Sequence, residues 1–319
     1  MKKIFAVFCI SISLFMCRTA YAQDPAFTQF YANPLYLNPA FAGSARCPRV
    51  CLNYRNEWPA IQGTYVTTSA SYDQFLDGVS GGVGIIAYND RAGKGILNTN
   101  YFGAMYAYQL NISREFSLKF GLQGSYYQKS IAWDKLTFGD QIDAKAGFVK
   151  QTGEATPSST TRGNPDFAAG ILGFSKRYFV GVAAHHLTQP DESFTRGAKS
   201  PLPMKITGHA GAVIPVKSSE DMSISPNILF QKQQDFQQLN LGVYLVKGPL
   251  VGGLWYRNQD AFILLLGFQT GIVKFGYSYD VTISKLANAS AGSHEISLSM
   301  VFPCKPKKKK FRTISCPSF

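Results

Sequence analysis

The alternation of side chains between residues 261 and 283 constrains this chain more than any other feature. Phe262, Leu264, Leu266 and Phe268 form one apolar set, interleaved with Ala261, Ile263, Leu265, Gly267 and Gln269, which are smaller or more mixed. After Thr270-Gly271 the period continues more cleanly. Val273, Phe275, Tyr277, Tyr279, Val281 and Ile283 share one face, and Lys274, Gly276, Ser278, Asp280 and Thr282 share the other. A period of two puts successive side chains on opposite faces and requires extended strand. A soluble sandwich would bury its aromatic face against a second sheet. Strands of about ten residues, apolar outward and small or polar inward, instead suit a membrane-spanning barrel.

The start of the chain agrees with export. Lys2 and Lys3 precede an apolar run, residues 4–16, that is too short to span a bilayer. Ala20-Tyr21-Ala22 is an A-x-A site, so residues 1–22 read as a signal peptide cleaved between Ala22 and Gln23. Cys17 follows Leu14-Phe15-Met16, which lacks the small residues expected before a lipidated cysteine. No other window has about 18 consecutive apolar residues, so no transmembrane helix is expected. Charged residues make up only 16%, against about 25% in soluble domains. The formal charge of +13 falls by three when Lys2, Lys3 and Arg18 leave with the signal. Lys305, Lys307, Lys308, Lys309, Lys310 and Arg312 then supply six of the remaining positive charges. In an exported protein this is a local docking feature, and nucleic acid is not an expected partner.

Strands are expected at 50–58, 64–75, 78–88, 97–110, 115–129, 167–174, 178–187, 204–216, 222–231, 236–246, 250–256, 261–269, 272–283 and 295–302. Residues 89–93 read as a turn. The connections after even strands are short, whereas the long polar insertions at 131–163 and 188–201 follow odd ones. Short periplasmic turns and longer external loops are the barrel asymmetry. The expected fold is all-β: a single transmembrane antiparallel barrel of about 14 strands with both termini periplasmic. Its parts are the signal (1–22), an N-terminal periplasmic or plug segment (23–46), the barrel (47–303) and a basic periplasmic tail (304–319).

Residues 24–44 read DPAFTQFYANPLYLNPAFAGS. Pro25, Pro34 and Pro39 forbid a continuous helix or central strand, and five aromatics make a free segment unfavourable. It is expected to pack against the periplasmic mouth or inside the barrel. This stretch, above all Asn38-Pro39-Ala40-Phe41-Ala42-Gly43, resembles the mature N-terminus of the PorP/SprF family. These are outer-membrane proteins of type IX secretion and gliding in Bacteroidota. Residues 165–167, His185-His186-Leu187-Thr188-Gln189-Pro190 and residues 292–298 extend the resemblance over essentially the whole mature chain. It implies a non-enzymatic part in secreting cargo proteins or anchoring them at the cell surface. It also implies that outer-membrane lipid, periplasmic secretion components and cargo are the partners. External loops would meet cargo, while the N-terminal segment and basic tail would face the periplasmic machine.

Enzymatic chemistry has little support. His185 and His186 are adjacent, so on a strand they point to opposite faces and cannot share a metal in the usual way. They read as structural or loop-anchoring. Gly81-Gly82-Val83-Gly84 lacks the lysine and helix of a phosphate loop and reads as strand beside a crowded lumen. No cofactor, metal or catalytic residue is expected. Cys47, Cys51, Cys304 and Cys316 fall near the periplasmic ends of the first and last strands, which closure makes neighbours. One of Cys47 or Cys51 is expected to bridge to Cys304 or Cys316, with the remaining two joined; metal binding by all four is the alternative. The basic tail is either a solvated end near anionic lipid or a docking element for an acidic partner. A general porin remains the second functional reading, and an outer-membrane hydrolase the third.

Overall fold

The computed structural model describes residues 24–304 apart from 62, 144, 158, 196, 217–220 and 285–289, together with Cys316. The cleavage site expected at Ala22 and Gln23 lies outside the described residues, as do Lys305, Lys307, Lys308, Lys309, Lys310 and Arg312. Fourteen wall strands run β1 Arg49–Glu57, β2 Tyr65–Leu76, β3 Gly81–Ala92, β4 Leu97–Asn111, β5 Ser117–Ile131, β6 Thr161–Phe174 and β7 Tyr178–His185. They continue as β8 Lys205–Ala212, β9 Met222–Gln233, β10 Phe236–Lys247, β11 Leu250–Arg257, β12 Ala261–Thr270, β13 Val273–Thr282 and β14 Ser293–Val301. Each pairs antiparallel with the next, and β1 pairs with β14 from Arg49 opposite Val301 to Glu57 opposite Ser293. The sheet is therefore a closed antiparallel barrel without a free edge.

Closure sorts the alternation into two solvents. Phe262, Leu264, Leu266 and Phe268 are 46–70% exposed on the outer wall, while Ala261 and Ile263 between them are buried in the lumen. Along β13, Phe275 and Tyr277 face outward and Gly276, Ser278 and Asp280 inward. The aromatic face is thus presented to the membrane and the polar face to the inside.

Two expected boundaries move, for one reason. Asn89 and Asp90 do not turn: they pair with Asn100 and Thr99, and β3 runs on to Ala92. The Asn89 side chain bonds Asn98 and Asn100, and Asp90 accepts from Thr67, so the polarity marks the inside of the wall. Likewise β6 starts at Thr161 rather than Phe167, carrying Pro165 opposite Tyr126. Strands that project beyond the apolar belt keep a polar composition without leaving the sheet.

The histidine pair also departs from expectation. His186 has φ +57, which ends β7 and turns its ring inward instead of outward. Both rings are buried, with centroids 6.5 Å apart.

Cys47 and Cys304 form a disulfide, with Cα atoms 5.4 Å apart and a sequence separation of 257. The second expected bridge is not made: Cys51 and Cys316 are free and buried. Cys51 sits on β1 with Sγ 3.5 Å from Ser299 Oγ, and Cys316 donates its backbone N–H to the Ser44 carbonyl at 3.3 Å. Cys316 is therefore packed inside the structure and not extended away from it. In the chain-entropy model a loop of this length contributes on the order of 5 kcal/mol, an upper figure for a chain that inserts into a membrane. Non-reducing peptide mapping should find one Cys47–Cys304 bridge and two thiols that alkylate only after unfolding. A Cys51–Cys316 bridge would contradict this arrangement.

Candidate functional site

The lumen is occupied by residues 24–47. Three prolines stop this segment from forming a strand or a long helix, and it folds instead into short turns at Phe30–Ala32, Pro34–Leu37 and Pro39–Phe41. Leu35, Asn38, Ala40 and Ala42 are 0–1% exposed. Phe30 meets Trp255 edge-on at 5.4 Å, and Tyr31 meets Phe179 at 5.4 Å. The segment starts at the long-loop mouth, where Asp24 meets His186, and ends at the short-turn mouth, where Cys47 is bridged to Cys304. Of the two placements expected for residues 24–44, the periplasmic mouth and the barrel interior, they take the interior. They are a plug along the barrel axis.

Three polar clusters anchor it. At the upper middle, Glu295 Oε2 and Oε1 accept the backbone N–H groups of Thr28 and Gln29 at 2.6 and 3.1 Å. Thr28 Oγ1 donates to Asp280 at 2.8 Å and also meets Arg55. Arg55 pairs with Asp280 at 3.0 Å and Glu295 at 3.4 Å, and Arg257 pairs with Asp280 at 3.1 Å. Four strands thus converge on one plug residue.

The second cluster holds the family-like motif. Asn38 accepts from Ala40 N at 2.8 Å and donates to the carbonyls of Ile171 and Val182. Gly43 N donates to Asp73 at 2.7 Å, Asp73 pairs with Arg49 at 2.8 Å, and Lys119 donates to the Ala42 carbonyl. The wall makes room by omitting side chains: a Cβ on Gly82 would overlap the Ala42 carbonyl, and one on Gly121 would overlap Ala40.

The third cluster fixes the start. His186 Nε2 lies 2.9 Å from Asp24 and Nδ1 lies 2.7 Å from Asp166, while Lys205 reaches Asp24 at 3.3 Å. Burial works against a charged imidazole, but the Asp24 and Asp166 carboxylates more than offset it and hold the His186 pKa up at about 10. Burial likewise opposes ionised Asp24, and His186 and Lys205 overcome it, leaving its pKa well below the ordinary carboxylate range. Both groups lie outside the wall strands, His186 in the loop after β7 and Asp24 in the plug.

Above the plug the loop end of the lumen stays open as a cavity of about 690 Å³, lined by Trp58, Tyr65, Tyr88, Asp90, Lys129 and Arg257 among others. Asn38 to Gly43 line no open site; they are packed plug. Sequence reading missed Thr28, Arg55, Arg257, Asp280 and Glu295 as a group. The only sequence signal of the four wall residues was charge at inward positions, and Thr28 carried none. No cluster of His, Cys, Asp and Glu able to hold a metal occurs among the described residues.

Two outcomes follow from these clusters. Arg55→Ala leaves Asp280 and Glu295 buried with less compensation, which should destabilise the folded barrel by about 3–5 kcal/mol in denaturant titration. An effect below about 1 kcal/mol would show that the cluster is solvated. The His186 pKa is raised on folding, so its contribution is complete below its unfolded value near 6.5 and is lost as pH rises through about 10. Wild type should lose thermal stability between about pH 7 and about pH 10, and His186→Gln should flatten that decline.

Solved structures similar to this chain include the outer membrane protein Omp33 of Acinetobacter baumannii, at 9% identity and TM-score 0.44, covering 81% of this chain and 99% of that one. The toluene transporter TodX of Pseudomonas putida is 10% identical with TM-score 0.47, covering 84% and 93%. A Pseudomonas aeruginosa FadL homologue is 11% identical with TM-score 0.46, covering 89% and 100%. What those proteins carry does not transfer at such values. No curated protein matches the chain. Residues 19–300 match the family described as "Type IX secretion system membrane protein PorP/SprF". This outer-membrane β-barrel therefore belongs to the PorP/SprF family of type IX secretion system membrane proteins.

Proposed function

We propose that the barrel is a non-enzymatic component of the type IX secretion or gliding machinery that helps to export cargo proteins or hold them at the cell surface. The observation that carries this reading is the filled lumen. A diffusion porin needs a continuous aqueous path, whereas here a 24-residue plug is tied to the barrel by the ion pairs of Asp24 and by buried hydrogen bonds. A rigid closed cylinder suits a scaffold that presents surfaces at its two mouths.

On the usual barrel asymmetry the short turns are read as periplasmic and the loops as external. Residues 132–160 and 186–204 then form the cargo-facing surface, since long polar loops on a rigid wall carry recognition. The periplasmic mouth holds the chain ends. Cys304 is bonded to Cys47 and Cys316 to Ser44, so both described neighbours of the basic run attach to one short stretch. Lys305, Lys307, Lys308, Lys309, Lys310 and Arg312 then offer positive charge to a periplasmic secretion component at that mouth.

Planar-bilayer recording tests the scaffold reading. Purified wild type should give no stable porin-sized steps, and Gly121→Val, which crowds the plug at Ala40, should raise conductance if it still migrates as a folded barrel. Steady ohmic conductance of the wild type would favour the porin reading. In cells, loss of the protein should lower surface display of a subset of secreted cargo while other outer-membrane proteins stay at normal abundance. Unchanged display would overturn the proposal.

A further inference from the structure

The cavity above the plug has a charge imbalance that its own residues do not resolve. Five carboxylates, Asp24, Glu57, Asp90, Glu192 and Asp260, line it against the cations Lys129, His186 and Arg257. Most of the acids are engaged. Asp24 holds His186 and Lys205, Glu192 holds Lys129 at 2.6 Å, and Asp260 holds Arg257 at 3.1 Å. Glu57 has a longer contact, 3.6 Å to an Arg55 that already serves Asp280 and Glu295.

Asp90 stands apart. Its carboxylate accepts Thr67 Oγ1 at 2.6 Å, and among the described residues no cation lies within ion-pair distance. Strand register sets Asp90 beside Thr67 and Glu57 beside Tyr65, so the two acids flank β2 on the same side of the lumen. Trp58 and Tyr65 meet edge-on at 5.9 Å beside them, and Tyr88 also lines the cavity. Carboxylates among aromatic faces select an organic cation, because ring quadrupole and anion both attract it. The opposite side is lined by the amides Gln237, Gln238, Asn258 and Gln259, which carry the donors and acceptors that a polypeptide backbone requires.

We propose that this vestibule binds an extended polypeptide segment and receives one of its arginine or lysine side chains on Asp90, with Glu57 adding negative field and Trp58, Tyr65 and Tyr88 walling the cation. Identifying that polypeptide as cargo rests on the reading of the loop mouth as the cell-surface end. The binding itself does not.

Purified full-length protein in detergent provides the test. The probe is a fluorescent Gly-Ser-Arg-Gly-Ser-Gly peptide blocked at both ends, compared with the same peptide carrying neutral citrulline for arginine. The arginine peptide should bind at least about tenfold more tightly, and Asp90→Asn should remove that preference. Heat-modifiable migration and thermal unfolding should stay as in wild type, because asparagine can still accept from Thr67. Equal binding of the two peptides, no binding of either, or full retention in Asp90→Asn would overturn the proposal. Ethylguanidinium binding as tightly as the peptide would overturn the polypeptide assignment and leave a small-cation site. If the preference holds in vitro but Asp90→Asn displays cargo normally in cells, the vestibule reading stands and the cargo reading falls.

Discussion

The structure depends on the meeting of a polar barrel interior with a segment that satisfies it. A fourteen-stranded cylinder encloses more space than its own small inward side chains fill, and strands of alternating pattern leave charges pointing into that space. In a dry lumen an uncompensated carboxylate is costly. Glu295 is instead gripped by two consecutive plug N–H groups and by Arg55, and Asp280 by Thr28, Arg55 and Arg257. Wall charge and plug backbone solve each other's problem. Each pairs buried groups of the other, which is why the plug reads as part of the fold.

The wall was legible in the sequence because membrane and lumen impose a strict period of two, and the parity of turn lengths gave the strand count independently. Its polar extensions were not. Asn89-Asp90 looks like a turn on composition, and only the lumen-side partners Asn98, Asn100 and Thr67 reveal it as strand. The plug's existence followed from its prolines and aromatics, but its direction did not, since that depends on Asp24 meeting His186, 162 residues away. The inward turn of His186 was illegible for a local reason: a positive φ at a non-glycine residue leaves no sequence mark. The same limit applies to Arg55 and Arg257, whose common partner Asp280 is fixed by closure of the whole ring.

The closing seam shows how the chain's two ends become one mechanical unit. β1 and β14 are joined along nine paired positions, and Arg55 stands directly opposite Glu295 across that seam. Thr28 of the plug sits on both residues, so the segment nearest the N-terminus braces the junction that completes the barrel. The disulfide acts at the other end of the same seam. It joins Cys304, three residues past β14, to Cys47, two residues before β1, which is the foot of the plug. A pull on the chain beyond residue 304 is therefore shared between β14 and residue 47. From there it reaches Arg49 and Asp73, and through Asp73 the Gly43 amide. Part of a load applied at the short-turn mouth thus passes into the packed axis of the barrel and is not borne by the β14–β1 seam alone. A wall strand loaded at its end opens one hydrogen-bonded pair at a time, whereas this route loads buried ion pairs and packed side chains together. That distribution of load suits the scaffold role proposed for this barrel.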